Sequence, residues 1–304
     1  MPCFCLPKDT CARLRSAMIE FWWSSGCNRK KIAWMGWQKL CKSKDLGGLG
    51  FKDLEKFNQA LLAKQAARVM NNPDSLLARV LKQRYFKNNT FLDCGLGSRP
   101  SFAGQSILHG RELLQQGLMP KIGNGAETKV WWDRCILDGV PRVPEYREGS
   151  VVDLTLKVED LLDQHSRVWN KALIYDTFTP KDAAIIIKLK PILTRPDEIV
   201  WGLTKNGVYS SKSGYELLDQ IEELSSPSTT PIPPVEKQLW LALWKTKTTP
   251  KLRHFLWRTL SGALAVNDRL RSTGIRLDTT CSSCNDAPED IGHVLFHCRF
   301  TQAV

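Results

Sequence analysis

Cys281-Ser282-Ser283-Cys284-Asn285-Asp286-Ala287-Pro288-Glu289-Asp290-Ile291-Gly292-His293-Val294-Leu295-Phe296-His297-Cys298 spaces three thiols and an imidazole as Cys-x2-Cys-x8-His-x4-Cys. The two serines inside the first pair are small, so the backbone can turn and aim both sulfurs at one point. Asn285, Asp286, Pro288 and Gly292 suit the intervening stretch to a loop. Soft and borderline donors of this kind select zinc over Mg²⁺ or Ca²⁺. Four of them fill a tetrahedron, as in a structural rather than a catalytic site. The expectation is one structural Zn²⁺ held by Cys281, Cys284, His293 and Cys298. His297 is a competing fourth ligand; the preferred set keeps Cys298 and leaves His297 behind the ligands or at the surface. So short a segment has little apolar core, and metal binding stabilises it by on the order of ten kcal/mol.

The chain has ten cysteines. Cys3, Cys5 and Cys11 cluster without a histidine nearby, and Cys27, Cys41, Cys94 and Cys135 are isolated; all seven read as ordinary thiols. Asp9, Arg13, Arg15 and Glu20 interrupt any leader-like apolar run at the start. No stretch approaches the roughly 18–20 apolar residues that cross a bilayer. The expectation is a protein neither secreted nor membrane-bound, with reduced thiols.

Upstream of the cysteines the chain is helical and basic. Leu239, Trp240, Leu243 and Trp244 recur at helical spacing and should pack inward. Thr249 reads as an N-cap with Pro250 at the first helical position, and the helix should stop at Gly262. Asn267 is expected to cap a further short helix ending at Gly274. Residues 237–276 hold nine lysines and arginines against the single acid Asp268, and residues 1–90 hold 17 against six acids, within a net charge of +12. Such blocks suit a polyanion. Lys245, Lys247, Lys251, Arg253, Arg258, Arg269 and Arg271 are the expected nucleic-acid contacts, for RNA, DNA or both. The competing reading is a set of solvated helical faces.

Further from the cysteines, residues 57–68 form a helix ending near Asn71-Asn72-Pro73, with Asp74 or Ser75 capping another over Leu76 to Tyr85. Lys44 to Gly50 is a turn. A short helix falls within Gln105–Gln116, and others fall near Val158–Gln164 and Pro180–Ile187. Ala126 to Trp132 is β-like. Ile199 to Leu203 and Val208 to Ser210 form a short hairpin turning at Asn206-Gly207. Ser211 or Ser213 caps a helix to about Glu223, and Ser225–Pro234, with its four prolines, is a linker. The fold class is α+β, predominantly helical, with a short β-hairpin in an irregular middle and a small zinc-binding module at the end. Three parts are expected: a basic helical region 1–90, a mixed linker region 91–206, and a zinc-binding domain 207–304.

Several of these motifs together resemble the region downstream of the polymerase core in plant LINE-type (non-LTR) retrotransposon reverse transcriptases, ending in their zinc-binding domain. The matching segments are Phe21-Trp22-Trp23, Trp37-Gln38-Lys39-Leu40-Cys41, Gly47-Gly48-Leu49-Gly50 and Phe57 to Gln65. Ile122 to Gly125, Lys205 to Tyr209, Lys251 to Arg258 and the cysteine cluster complete them. Gly104 and Cys135 depart from the family, which usually has tryptophan there. The chain also stops about where that domain would end with another tryptophan, as in a truncated element. The resemblance implies contact with template RNA or target DNA, a structural place for Glu289, a reverse transcriptase core as a further partner, and a nuclear location.

Catalysis is not expected. Polymerases of this kind hold two Mg²⁺ ions on paired carboxylates, and the sequence has no Asp-Asp dipeptide. Gly47, Gly48 and Gly50 are not followed by the Gly-Lys-Ser/Thr of a phosphate loop. Asp153, Glu159 and Asp160 read as solvated acids. The leading expectation is a zinc-dependent nucleic-acid-binding fragment. The alternatives are a structural or interaction remnant, or a part working in trans with a separate polymerase core.

Overall fold

Helix capping and side-chain size place most of the elements. The computed structural model describes residues 3–24, 32–163, 166, 168–225 and 234–303. The chain opens with α1 (Lys8–Trp23) and α2 (Trp37–Cys41), then a 3-10 turn at Lys44–Leu46. Next come α3 (Leu54–Asn71), α4 (Leu76–Tyr85) and α5 (Phe102–Gly117), which runs directly into β1 (Leu118–Lys121). β2 (Ile136–Asp138), β3 (Val140–Arg142), α6 (Lys171–Thr177), α7 (Pro180–Ile186) and β4 (Glu198–Trp201) follow. The remaining helices are α8 (Ser211–Ser225), α9 (Pro234–Lys245), α10 (Pro250–Leu260), α11 (Asn267–Ser272) and α12 (Arg299–Gln302). The fold is α+β and mostly helical.

Two compact units emerge, Met1–Pro7 with Leu54–Thr229, and Lys8–Asp53 with Thr230–Val304. Each unit joins segments far apart in sequence. The Ser225–Pro234 linker falls almost wholly outside the described residues, as does Cys27.

In the first unit, α3 presents buried Ala60, Ala63, Ala66 and Ala67, a face of small side chains that lets α5 come close. At the crossing, a Cβ on Gly110 would stand 2.3 Å from the carbonyl carbon of Leu62. Only glycine fits there. Helix α8 packs on α3 as well, and the Lys56 ammonium lies 2.5 Å from both Asp219 and Glu222. Trp201 is buried, its indole N–H donating to Ser213 Oγ at 2.9 Å. Burying a side chain of that size contributes about 3 kcal/mol. A second core gathers Val130, Ile136, Val158, Leu161, Ile174, Phe178 and Ile186. Beside it Asp182, fully buried, accepts two bonds from the Arg142 guanidinium (2.5 and 2.8 Å) and one from the Glu145 amide.

Three local expectations change. β4 pairs antiparallel with β1, Leu118 opposite Trp201, rather than with residues 208–210. The Asn206-Gly207 turn does form, with Gly207 at φ +71. However, the Tyr209 hydroxyl is drawn to the Ala60 carbonyl (2.8 Å) and Ser210 caps the start of α8, which takes those residues out of reach. The short hairpin is instead β2–β3, turning at Gly139. Ala126 to Trp132 forms only one bridge, Lys129 to Lys157. There the amides of Glu127 and Thr128 donate to the Asp197 carboxylate, which also binds the amides of Gly123 and Gly125 and the Thr128 hydroxyl. A strand ladder would need those same donors.

The second unit is built on tryptophan. Trp23, Met35, Trp37, Leu40, Leu243, Trp257 and Ala263 form its core. The Gly47 carbonyl accepts from the Trp257 indole (3.0 Å) and the Lys44 carbonyl from the Trp244 indole (3.1 Å). Gly47 has φ +81, and a Cβ on it would meet the Trp240 ring at 2.9 Å. The glycine turn is thus a seat for α9 and α10. Thr249 caps α10 with Pro250 in the first turn, as its sequence implies.

Candidate metal centre

Each half of the cysteine–histidine segment is shaped by its own backbone bonds. In the first half, Thr280 bridges to Pro288, the Cys281 amide donates to the Ala287 carbonyl (2.9 Å), and the Asn285 amide donates to the Cys281 carbonyl (2.8 Å). Asn285 takes φ 58, a left-handed conformation that Asn tolerates better than most residues. The Asp286 amide then points at Cys284 Sγ, 3.5 Å away. In the second half, Asp290 Oδ1 accepts from the His293 amide (2.7 Å), and the Cys298 amide reaches the His293 carbonyl (2.8 Å). That five-residue span is one wide π-type turn over His293–His297. It returns Cys298 to the side occupied by His293. Arg299 joins the halves by donating to the Cys284 carbonyl (3.0 Å).

The result is a cluster of Cys281, Cys284, His293 and Cys298, all buried, with one donor atom from each lying within 4.8 Å of every other. His293 Nε2 is 3.2 Å from Cys284 Sγ. Zinc–sulfur bonds of about 2.3 Å in a tetrahedron set ligand atoms about 3.8 Å apart. The cluster is that size, and its donor set is the one zinc favours. His293 would present Nε2 to the ion. His297 is exposed and outside the four-donor group.

The thiols differ electrostatically. Amides of Cys284 and Ser283 hold the Cys281 thiol below its ordinary range. Burial raises Cys298, but the amides of Phe300 and Thr301 outweigh it and leave that thiol lowered. The Asp286 amide lowers Cys284, yet burial and the two neighbouring thiols carry it above the usual value. Three sulfurs this close resist ionising together, and a dication relieves that repulsion. Among the other described cysteines, Cys135 is pushed up to about 12 by burial, and none joins a metal-sized cluster.

Of the expected nucleic-acid contacts, Lys245, Lys247, Lys251, Arg269 and Arg271 are exposed, whereas Arg253 and Arg258 are half-buried. Arg253 donates to the carbonyls of Thr246 (2.9 Å) and Thr248 (3.3 Å), and Arg269 donates to that of Gly262 (2.9 Å). Arg258 lies 5.5 Å from the centre of the Trp23 ring.

Glu289 does the work expected of Asn267. Asn267 is the first residue of α11 rather than its cap, and Val266 before it offers no side-chain bond. The Glu289 carboxylate accepts from both the Asn267 amide and its side chain. An acid four residues before the second half of a ligand motif carries no local signature of that contact.

A family model described as zinc-binding in reverse transcriptase matches residues 209–304. An uncharacterized mitochondrial protein of Arabidopsis thaliana is 57% identical over 145 residues, covering 47% of this chain and 94% of that protein. A putative ribonuclease H protein of the same plant is 25% identical over 299 residues, covering 96% of this chain; the chain spans 47% of that protein's length. No solved structure matches. With the clustered donors at its end, the chain belongs to the plant retrotransposon reverse-transcriptase-related proteins and carries their zinc-binding domain.

Proposed function

We propose that the chain is a zinc-dependent nucleic-acid-binding fragment of a LINE-type reverse transcriptase, with one structural Zn²⁺ on Cys281, Cys284, His293 and Cys298. The observation that carries the reading is the buried four-donor cluster, in the same unit as exposed Lys245, Lys247, Lys251, Arg269 and Arg271. The ion supplies a fixed crosslink. The chain's own residues do the binding, with ammonium and guanidinium groups meeting phosphates of RNA or DNA. We read the role as non-catalytic, because the metal-sized donor cluster found among the described residues is a Cys₃His set, which fills a structural site and leaves no open position on the ion.

The test measures zinc content and binding of single-stranded RNA and DNA on one purified sample. About one zinc per chain and an affinity falling steeply with salt support the reading. Zinc-free protein with intact thiols, or no binding at low salt, defeats it.

A second reading, an interaction piece that docks on a polymerase core, is favoured by Leu14, Met18 and Phe21, which leave one apolar stripe of α1 exposed. Retention of a polymerase core by the immobilised chain, without nucleic acid, would favour it. A nuclear location follows from action on genomic DNA. The 57%-identical relative is named a mitochondrial protein, so a fluorescent fusion accumulating in mitochondria would replace that proposal.

A further inference from the structure

Helix α11 is only six residues long and buries none of them, yet it carries Arg269 and Arg271. A helix with so little apolar anchorage needs another device to hold its direction. That device is Glu289. One carboxylate oxygen accepts from the Asn267 amide (3.3 Å), and the other accepts from Asn267 Nδ2 (3.2 Å). The Glu289 carbonyl accepts from the Asp268 amide (3.2 Å), and its own amide donates to the Thr279 carbonyl (2.6 Å). Thr279 and Glu289 flank the bridge from Thr280 to Pro288, and the next pair inward is Cys281 with Ala287. The first metal-ligating cysteine and the first turn of α11 therefore share one short backbone ribbon.

We propose that Glu289 is a positioning residue that couples the Cys₃His cluster to α11, so that a filled cluster aims Arg271 at a nucleic-acid phosphate. This rests on the nucleic-acid binding proposed above. It gives that binding its metal dependence, because the cluster fixes the ribbon, the ribbon fixes Glu289, and Glu289 fixes the basic helix. Arg269 is the secondary case, since its Nε already donates to the Gly262 carbonyl.

The experiment is a double-mutant cycle on the full chain with Glu289→Ala and Arg271→Gln. It is read as zinc content, affinity for labelled single-stranded RNA and DNA oligonucleotides, and amide hydrogen exchange. Expected is about one zinc per chain in every variant. Arg271→Gln should cost about fivefold in affinity in the parent but less than about twofold in the Glu289→Ala background. Glu289→Gln, which keeps one acceptor oxygen, should recover part of the loss. Equal costs of Arg271→Gln in both backgrounds would overturn the proposal. So would loss of zinc from Glu289→Ala, which would make Glu289 a support of the ligands alone. If no variant binds either oligonucleotide, the proposed function fails and hydrogen exchange decides the coupling by itself. The amides of Leu270 and Thr273, bonded to Val266 and Leu270, should exchange faster in zinc-loaded Glu289→Ala. Unchanged protection there would overturn the coupling too.

Discussion

The indole N–H of Trp257 donates to the carbonyl of Gly47 across 3.0 Å, joining residues 210 positions apart in the chain. The bond is buried, so removing its donor leaves a carbonyl with no access to water. Trp257→Phe should destabilise the second unit by about 1–3 kcal/mol, the usual cost of a stranded buried acceptor with some lost packing. Urea unfolding followed by tryptophan fluorescence checks it. An unchanged midpoint would mean that the glycine turn does not seat α10.

Asp197 accepts from four amides and one hydroxyl. Burial raises its carboxyl, but the Thr128 hydroxyl and the amides of Gly123, Gly125 and Thr128 more than compensate, and the group ends below the ordinary carboxylate range. A folded-state value below the unfolded one gives stability that is present above about pH 4 and lost as pH falls through the lower folded value. Asp197→Asn should therefore cost about 1 kcal/mol at neutral pH, allowing for solvent screening of a partly exposed group. It should also flatten the acid limb of stability against pH. Urea midpoints across the acid range test this, and parallel curves for parent and variant would refute it.

What could be read from the residues was local. Ser75 and Thr249 cap the helices expected of them, with their side chains accepting from Ala78 and Leu252, and α3 ends at Asn71 just before the proline. The four-donor cluster was legible because a knuckle's ligands lie within one short segment, where spacing is geometry. Partners distant in sequence left no such trace. Nothing near Val200 announces that it will face Met119 rather than the residues after Gly207. Nothing near Lys44 to Gly50 announces three tryptophans from the far end of the chain. Asp197 reads as one more surface acid until the turn at Gly123 to Thr128 folds around it.

Ligand identity at the fourth position can be separated by two substitutions. Cys298 is buried inside the donor group, and His297 next to it is exposed and outside it. Cys298→Ser should weaken zinc retention against a competing chelator by on the order of a hundredfold, since one of four bonds is lost. His297→Ala should keep about one zinc per chain. The reverse pattern would transfer the ligand role to His297.

The basic residues divide by what their side chains already hold. Lys251 and Arg271 are exposed on α10 and α11, whereas Arg253 is half-buried and bonded to two carbonyls of the α9–α10 connection. A residue that meets a phosphate releases counterions, so its loss lowers the slope of log affinity against log salt by about 0.7–0.9. Lys251→Gln and Arg271→Gln should each show that decrease with unchanged thermal stability. Arg253→Gln should instead lower the melting temperature and leave the slope alone, because its guanidinium is committed to Thr246 and Thr248. Salt titrations by fluorescence anisotropy, run beside thermal melts, distinguish the two kinds. If Arg253→Gln flattened the slope at full stability while Lys251→Gln did not, the phosphate would lie on the other face of α10.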